Sequence, residues 1–168
     1  MRTLIKDALP SNLIDEALHL YRNSTNQVVI DGIPGERYIS GALGVFVLSF
    51  YSEEEFKNIW GHLKPLIEGS VGCEVDPYEF RILRYGTNGF IKSHNDSVVF
   101  DQSLNSKLIS IIILLSSSNE GGDFVIDGEK CALNAGDLVL WTSEHSHEVR
   151  PVKQGIRYSI NIRCLMVK

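Results

Sequence analysis

A mainly β fold with flanking helices, built as a sandwich or barrel, is predicted by three features of the sequence. From Tyr78 onward, short apolar and β-branched runs recur with little but turns between them. Those turns are marked at Asn88-Gly89, Gly121-Gly122, Asp127-Gly128 and Asn134-Ala135-Gly136. Before Tyr78, by contrast, two stretches carry apolar residues at helical spacing.

The first of these is Ser11 to Arg22, where Leu13, Ile14, Ala17, Leu18, Leu20 and Tyr21 form one apolar face and Ser11 or Asn12 is the cap. Asn23 to Gly35 is turn-rich apart from Val28-Val29-Ile30, a short strand. Leu43 to Phe50 reads as a longer strand, being rich in β-branched and aromatic residues. Ser52 and Glu55 then have the spacing of a capping box, and Phe56, Ile59, Trp60 and Leu63 make the buried stripe of the second helix. Pro65 should kink or end that helix, with Gly69 closing the segment. These two helices are expected either to support the outer face of the β structure or to shape a substrate cleft, and their spacing does not decide between the two. Strands are expected at Phe80–Tyr85, Phe90–His94, Lys107–Ser116, Phe124–Ile126, Asp137–Trp141, His147–Pro151 and Ile156–Met166.

The chain of 168 residues fits one domain, with 1–76 as helical and strand support and 77–168 as the β core. An apolar fraction of 43% and a charged fraction of 22% are those of an ordinary globular protein. A net charge of -5 argues against nucleic acid as the main partner, because phosphate binding favours a basic surface. Cys73, Cys131 and Cys164 are odd in number and contain no C-x-x-C, which points to reduced thiols in a cytoplasmic protein. The longest near-apolar run, Leu108 to Leu115, is too short to cross a membrane.

Chemistry-bearing residues concentrate in two places. In Ser93-His94-Asn95-Asp96-Ser97 an extended chain projects His94 and Asp96 the same way, so both can grip one ion. From Trp141 to Arg163 the chain holds His145 and His147, a turn at Lys153-Gln154-Gly155, and then Arg157, Ser159 and Asn161 on one strand face. Two imidazoles and a carboxylate on one side of a metal, with the other positions open, are a facial triad for Fe(II). An H-x-D pair by itself is usually a surface pair.

The order H-x-D, then H-x-V-x-P-V-x-x-G-x-R-Y-S, resembles the 2-oxoglutarate/Fe(II)-dependent dioxygenases, most closely the prolyl 4-hydroxylase-like branch. The likeness runs from about Tyr78 to Cys164. It takes in Arg84-Tyr85-Gly86 and Gly89-Phe90-Ile91 before His94, the Leu108–Leu115 strand with its Glu120-Gly121-Gly122-Asp123-Phe124 turn, and Ala135-Gly136-Asp137-Leu138-Val139-Leu140-Trp141. Among sandwiches and barrels, the resemblance implies the double-stranded β-helix, a distorted jelly roll.

It also implies that His94, Asp96 and His147 hold Fe(II), with 2-oxoglutarate on two of the open positions and O2 on the third. Ascorbate would serve as reductant. His147 is preferred to His145, which would face the same way, for its lead into Val149, Pro151-Val152, Gly155 and Arg157. Arg157 would fork onto the distal carboxylate of 2-oxoglutarate, Ser159 would add a hydroxyl, and Tyr85 stands where the family often has a cosubstrate-bonding tyrosine. Asp96 favours hydroxylation, since related halogenases carry a small residue there.

Two positions depart from the prolyl hydroxylases. Arg163 stands where they have an aromatic residue, and Ile113-Leu114 where some have a tyrosine. Arg157 and Arg163 also resemble the paired arginines of nucleic-acid demethylases, but the short gap from His147 to Arg157 fits the hydroxylases. The implied substrate is a prolyl or other peptidyl residue. The alternatives are a free amino acid or other small molecule and, less favoured, nucleic-acid demethylation or a non-catalytic jelly-roll binding module.

Overall fold

The computed structural model describes residues 1–30, 42–50, 53–96 and 107–167. The chain opens with β1 (Arg2–Ile5), α1 (Ser11–Asn23), β2 (Val28–Ile30) and β3 (Ala42–Phe50). A 3₁₀ turn (Glu53–Phe56) leads into α2 (Lys57–Val71) and then β4 (Glu74–His94). The remainder is β5 (Leu108–Ser116), β6 (Glu120–Gly121), β7 (Phe124–Ile126), β8 (Glu129–Cys131), β9 (Leu138–Thr142), β10 (His147–Val149), β11 (Val152–Gln154) and β12 (Arg157–Val167).

The strands form one curled sheet in the order β1-β9-β5-β12-β4-β10-β7-β8, with β2 and β3 joined to it through β4. All its pairings are antiparallel. The short strands β6 and β11 pair separately. β5 is buried on both faces, which is why its sequence is almost unbroken apolar. Ile109, Ile111, Ile113 and Leu115 join one core cluster with Leu13, Ala17 and Tyr21 of α1 and Ile59, Trp60, Leu63 and Ile67 of α2. Ile112 faces the other way, into a second cluster with Leu83, Tyr85, Phe124, Val139, Trp141 and Val149. Burying each such side chain contributes roughly 1.5–3 kcal/mol. The helices therefore cover one face of the sheet, and the curl closes around the other.

Several details differ from the sequence reading. β4 is one strand where two were expected, because Asn88-Gly89 makes a bulge instead of a turn. Between the pairs Val45↔Tyr85 and Leu43↔Phe90 the ladder shifts register, and β4 carries the surplus residues. Gly89 is required there, since an added Cβ would lie 2.8 Å from the Gly86 carbonyl oxygen and 2.9 Å from that of Gly44. α1 is capped by the Pro10 backbone, whose carbonyl accepts from the Leu13 and Ile14 amides, and not by a Ser11 or Asn12 side chain.

Pro65 lies inside α2, which runs on to Val71, because the packed stripe of Ile59, Trp60, Leu63 and Ile67 outweighs one lost backbone bond. Gly72, in the left-handed region at φ 74, ends the helix in place of Gly69 and donates to the Glu68 carbonyl at 2.8 Å. Ser52, half of the expected capping box, lies outside the described residues. β1 was not anticipated. It is held by Asp137, a buried carboxylate that accepts from Lys6 Nζ at 2.6 Å and from the Asp7 and Asn134 amides. Among the described residues no helix is long and apolar enough to cross a membrane.

Candidate active site

His94 ends β4 and His147 begins β10, and the two are direct cross-strand partners. Asp96 follows two residues after His94. One potential ligand atom from each lies within 4.8 Å of the other two. His147 Nε2 is 3.4 Å from Asp96 Oδ2, and His94 Nε2 is 3.8 Å from Asp96 Oδ1. Both imidazoles turn Nδ1 toward a backbone carbonyl, His94 to Lys92 at 2.8 Å and His147 to His145 at 3.4 Å. A carbonyl only accepts, so Nδ1 carries the proton and Nε2 offers its lone pair to the shared space.

Burial pushes the His147 imidazole down to about 4, against the pull of the Asp96 carboxylate, so it is neutral near pH 7. Burial alone would raise the Asp96 carboxyl. The Arg163 guanidinium, helped by His147 and the Ser110 hydroxyl, outweighs burial and holds it below the usual range. Two imidazoles with Nε2 turned inward and one carboxylate, all facing one space, make a donor set suited to a ferrous ion.

His145 takes no part in this cluster. It lies in the turn before β10, where strand alternation does not apply, and its Nδ1 meets Asp127 Oδ2 at 2.6 Å.

Along the inner face of the β4–β12 ladder, Arg157 sits opposite Tyr85, Ser159 opposite Leu83, Asn161 opposite Arg81 and Arg163 opposite Glu79. Arg157 is 2% exposed, and its Nη1 donates to Ser159 Oγ at 3.0 Å. Its guanidinium carbon stands 5.1 Å from the centroid of the Tyr85 ring. Arg157 Nη2 and the Tyr85 hydroxyl are buried without a hydrogen-bond partner among the described residues. Burial pushes the Tyr85 phenol up to about 12, which keeps it a donor. An enclosed guanidinium and phenol with free N–H and O–H groups are costly alone and match a carboxylate ligand. A 2-oxo diacid therefore fits the residues present.

Four participants escaped sequence reasoning. Ser110 Oγ donates to Asp96 Oδ2 at 2.6 Å. Its one signal was a lone hydroxyl inside the apolar run of β5. Arg163 donates from Nη2 to Asp96 Oδ1 and from Nη1 to Glu79 Oε2, the latter at 3.0 Å. The sequence marks Arg163 as a departure from the prolyl hydroxylases and as a pair with Arg157, but not as a partner of Asp96, and Glu79 has no local signal at all. Trp141 packs its ring 4.7 Å from that of His147 and 5.3 Å from that of Phe124, walling the metal side of the space.

Comparison with known proteins gives the same picture. Residues 80–162 match the model of the 2OG-Fe(II) oxygenase superfamily. A PKHD-type hydroxylase of Stenotrophomonas maltophilia (strain R551-3) is 36% identical over 86 residues, covering 46% of this chain and 38% of that protein. The chain thus spans well under half the length of that curated relative. Among solved structures, a 2OG-Fe(II) oxygenase family oxidoreductase from Burkholderia pseudomallei superposes with a TM-score of 0.78 at 18% identity, covering 98% of this chain and 84% of that one. A prolyl hydroxylase from Trichoplax adhaerens, in complex with a hypoxia inducible factor oxygen degradation domain peptide fragment, gives 0.74 at 16% identity, covering 98% and 77%. At such identities these structural likenesses speak for the fold.

Proposed function

Residues 80–162 belong to the 2OG-Fe(II) oxygenase superfamily, and from that premise we propose that this chain is a hydroxylase of an unactivated C–H bond in a prolyl or other peptidyl residue. The fold in this reading is one domain, a double-stranded β-helix over 77–168 with 1–76 as its support. The observation that carries the reading is that Tyr85 lines the same space as His94, Asp96 and His147 and stacks on the buried Arg157 guanidinium, whose Nη2 has no partner among the described residues.

In this reading His94, Asp96 and His147 hold Fe(II), and Arg157, Tyr85 and Ser159 receive the distal carboxylate of 2-oxoglutarate. When bound, iron and 2-oxoglutarate supply the C–H oxidation, consuming O2 and releasing succinate and carbon dioxide. The chain's own residues bind, orient and shield. The Nε2 atoms face the ion because Nδ1 is tied to the backbone. Arg157 is fixed by Ser159 and by the ring of Tyr85, so its fork needs little reordering on binding. Trp141, Phe124 and Ile112 exclude water from the reacting atoms.

The peptidyl assignment draws support from the PKHD-type hydroxylase relative and the peptide-bound prolyl hydroxylase neighbour. A second reading, hydroxylation of a small acidic molecule, is favoured by Arg81, which lines the same space and, although its Nη2 pairs with Glu79, has a buried Nε with no partner among the described residues. Free cysteines at 73, 131 and 164 suit a reducing, cytoplasmic setting.

The test is succinate release on incubation with Fe(II), ascorbate and 2-oxoglutarate, alone and with proline-containing peptides or free amino acids. Succinate in excess of a no-enzyme control supports the reading, and stimulation by one substrate class selects between the two. No succinate under any of these conditions would leave a non-catalytic binding module.

A further inference from the structure

The carboxylate of Asp96 is held from both sides before any metal is considered. Its Oδ1 accepts from the Arg163 guanidinium and its Oδ2 from the Ser110 hydroxyl, at 2.6 Å. Arg163 is itself tethered outward, with Nη1 on Glu79 Oε2 at 3.0 Å, and Glu79 also pairs with Arg81. A run of alternating charges, Arg81–Glu79–Arg163–Asp96, therefore leads from the rim of the pocket to the cluster. Arg163 and Glu79 are cross-strand partners on β12 and β4, so the tether is built into the ladder.

The two oxygens of Asp96 are not equivalent in this arrangement. A dication and a guanidinium repel each other, so they do not share one carboxylate oxygen at low cost. A hydroxyl donor carries no net charge, and a carboxylate oxygen has lone pairs for both a hydrogen bond and a metal. Oδ1, 3.8 Å from His94 Nε2, is taken by Arg163, and Oδ2, beside Ser110 and 3.4 Å from His147 Nε2, is therefore the oxygen free to ligate. We infer that Arg163 is a positioning residue which pins Oδ1 so that Asp96 ligates through Oδ2 alone, with Glu79 as the counter-charge that keeps the guanidinium off the metal's place. An unpinned carboxylate can chelate through both oxygens, and each position it takes is lost to the cosubstrate. Arg163 thus acts on 2-oxoglutarate docking through Asp96, without belonging to the carboxylate pocket around Arg157.

This inference rests on the iron reading of the cluster, and the experiment separates the two. Mn(II) is used as probe on the whole chain, without turnover. Bound waters are counted by water-proton relaxation, and 2-oxoglutarate affinity is measured on the Mn(II) form by calorimetry. The unaltered protein should bind Mn(II). Arg163→Met should still bind Mn(II), but with one fewer bound water and 2-oxoglutarate affinity down by about tenfold or more, and Arg163→Lys should restore much of both.

A protein lacking only packing at residue 163 would not change its water count. Should Arg163→Met fail to fold, Glu79→Gln at the half-exposed rim carries the test. With the counter-charge gone, Arg163 turns wholly onto Asp96 and Mn(II) binding weakens by about tenfold. Unchanged waters and 2-oxoglutarate affinity in Arg163→Met, or unchanged Mn(II) affinity in Glu79→Gln, overturn the inference while leaving the metal site standing. Failure of the unaltered protein to bind Mn(II) removes the site reading itself, and the inference with it.

Discussion

His147 faces His94 directly across the β10–β4 ladder, with ring centroids 4.3 Å apart. The backbone pairing of the two residues brings their imidazoles together at the cluster. His147→Ala should therefore abolish succinate release and weaken Fe(II) or Mn(II) binding by at least about 100-fold, while the circular dichroism spectrum is unchanged. Turnover that survives the substitution would transfer the ligand role elsewhere.

Arg157 is enclosed beside Tyr85, and its Nη2 has no partner among the described residues. Its loss has two effects of opposite sign. Arg157→Met should raise the 2-oxoglutarate requirement by about 30-fold or more with little change in the iron requirement, because a charge-assisted fork is worth a few kcal/mol. The same variant, free of cosubstrate, should melt no lower than the parent, since an uncompensated buried charge is replaced by an apolar chain of similar length. Equal shifts in both requirements, or a large drop in Tm, would make Arg157 structural.

Tyr85 tests the same pocket more gently. Tyr85→Phe deletes a buried hydroxyl with no well-formed hydrogen bond among the described residues, so the ligand-free protein should lose under about 1 kcal/mol, read from urea unfolding. Affinity for 2-oxoglutarate should fall roughly three- to tenfold. No loss of affinity would place the phenol outside the cosubstrate's reach.

Asp137, far from the site chemistry, governs stability. Burial pushes its carboxyl up, but Lys6 and the amides of Asn134 and Asp7 outweigh this and hold it below its ordinary value of 3.8. Because the folded value is the lower one, its contribution is complete above the unfolded value and is lost as pH falls through the folded value. Asp137→Ala should cost about 2–3 kcal/mol at pH 7, by leaving two amides and Lys6 without their acceptor. The parent–variant difference should shrink below pH 4 in chemical denaturation.

How much of this was legible in the sequence depends on whether the information is local. The alternation of Arg157, Ser159 and Asn161 fixes a strand face without any knowledge of its neighbour, and the structure puts all three on the inner face. H-x-D and the distal histidine are likewise local patterns. The contact of Arg163 with Asp96 and Glu79 is not. It depends on the register of β12 against β4 and on where the chain leads after His94, and neither is encoded near Arg163. The choice between His145 and His147 could not be made from alternation, because the first of them stands in a turn. The expected break at Asn88-Gly89 became a bulge since β3 and β10 pair with β4 beyond it. The short β1, β6 and β8 carry too few residues for any period to show.

β12 is inserted between β4 and β5 in the sheet although it follows both in sequence. A partly folded chain can join β10 to β4, and so bring its two histidines together, while the slot for β12 stands empty. Until β12 docks, the facing edges of β4 and β5 are bare and the guanidinium pocket does not exist. A substitution that loosens β12 should therefore leave a species prone to edge-to-edge aggregation.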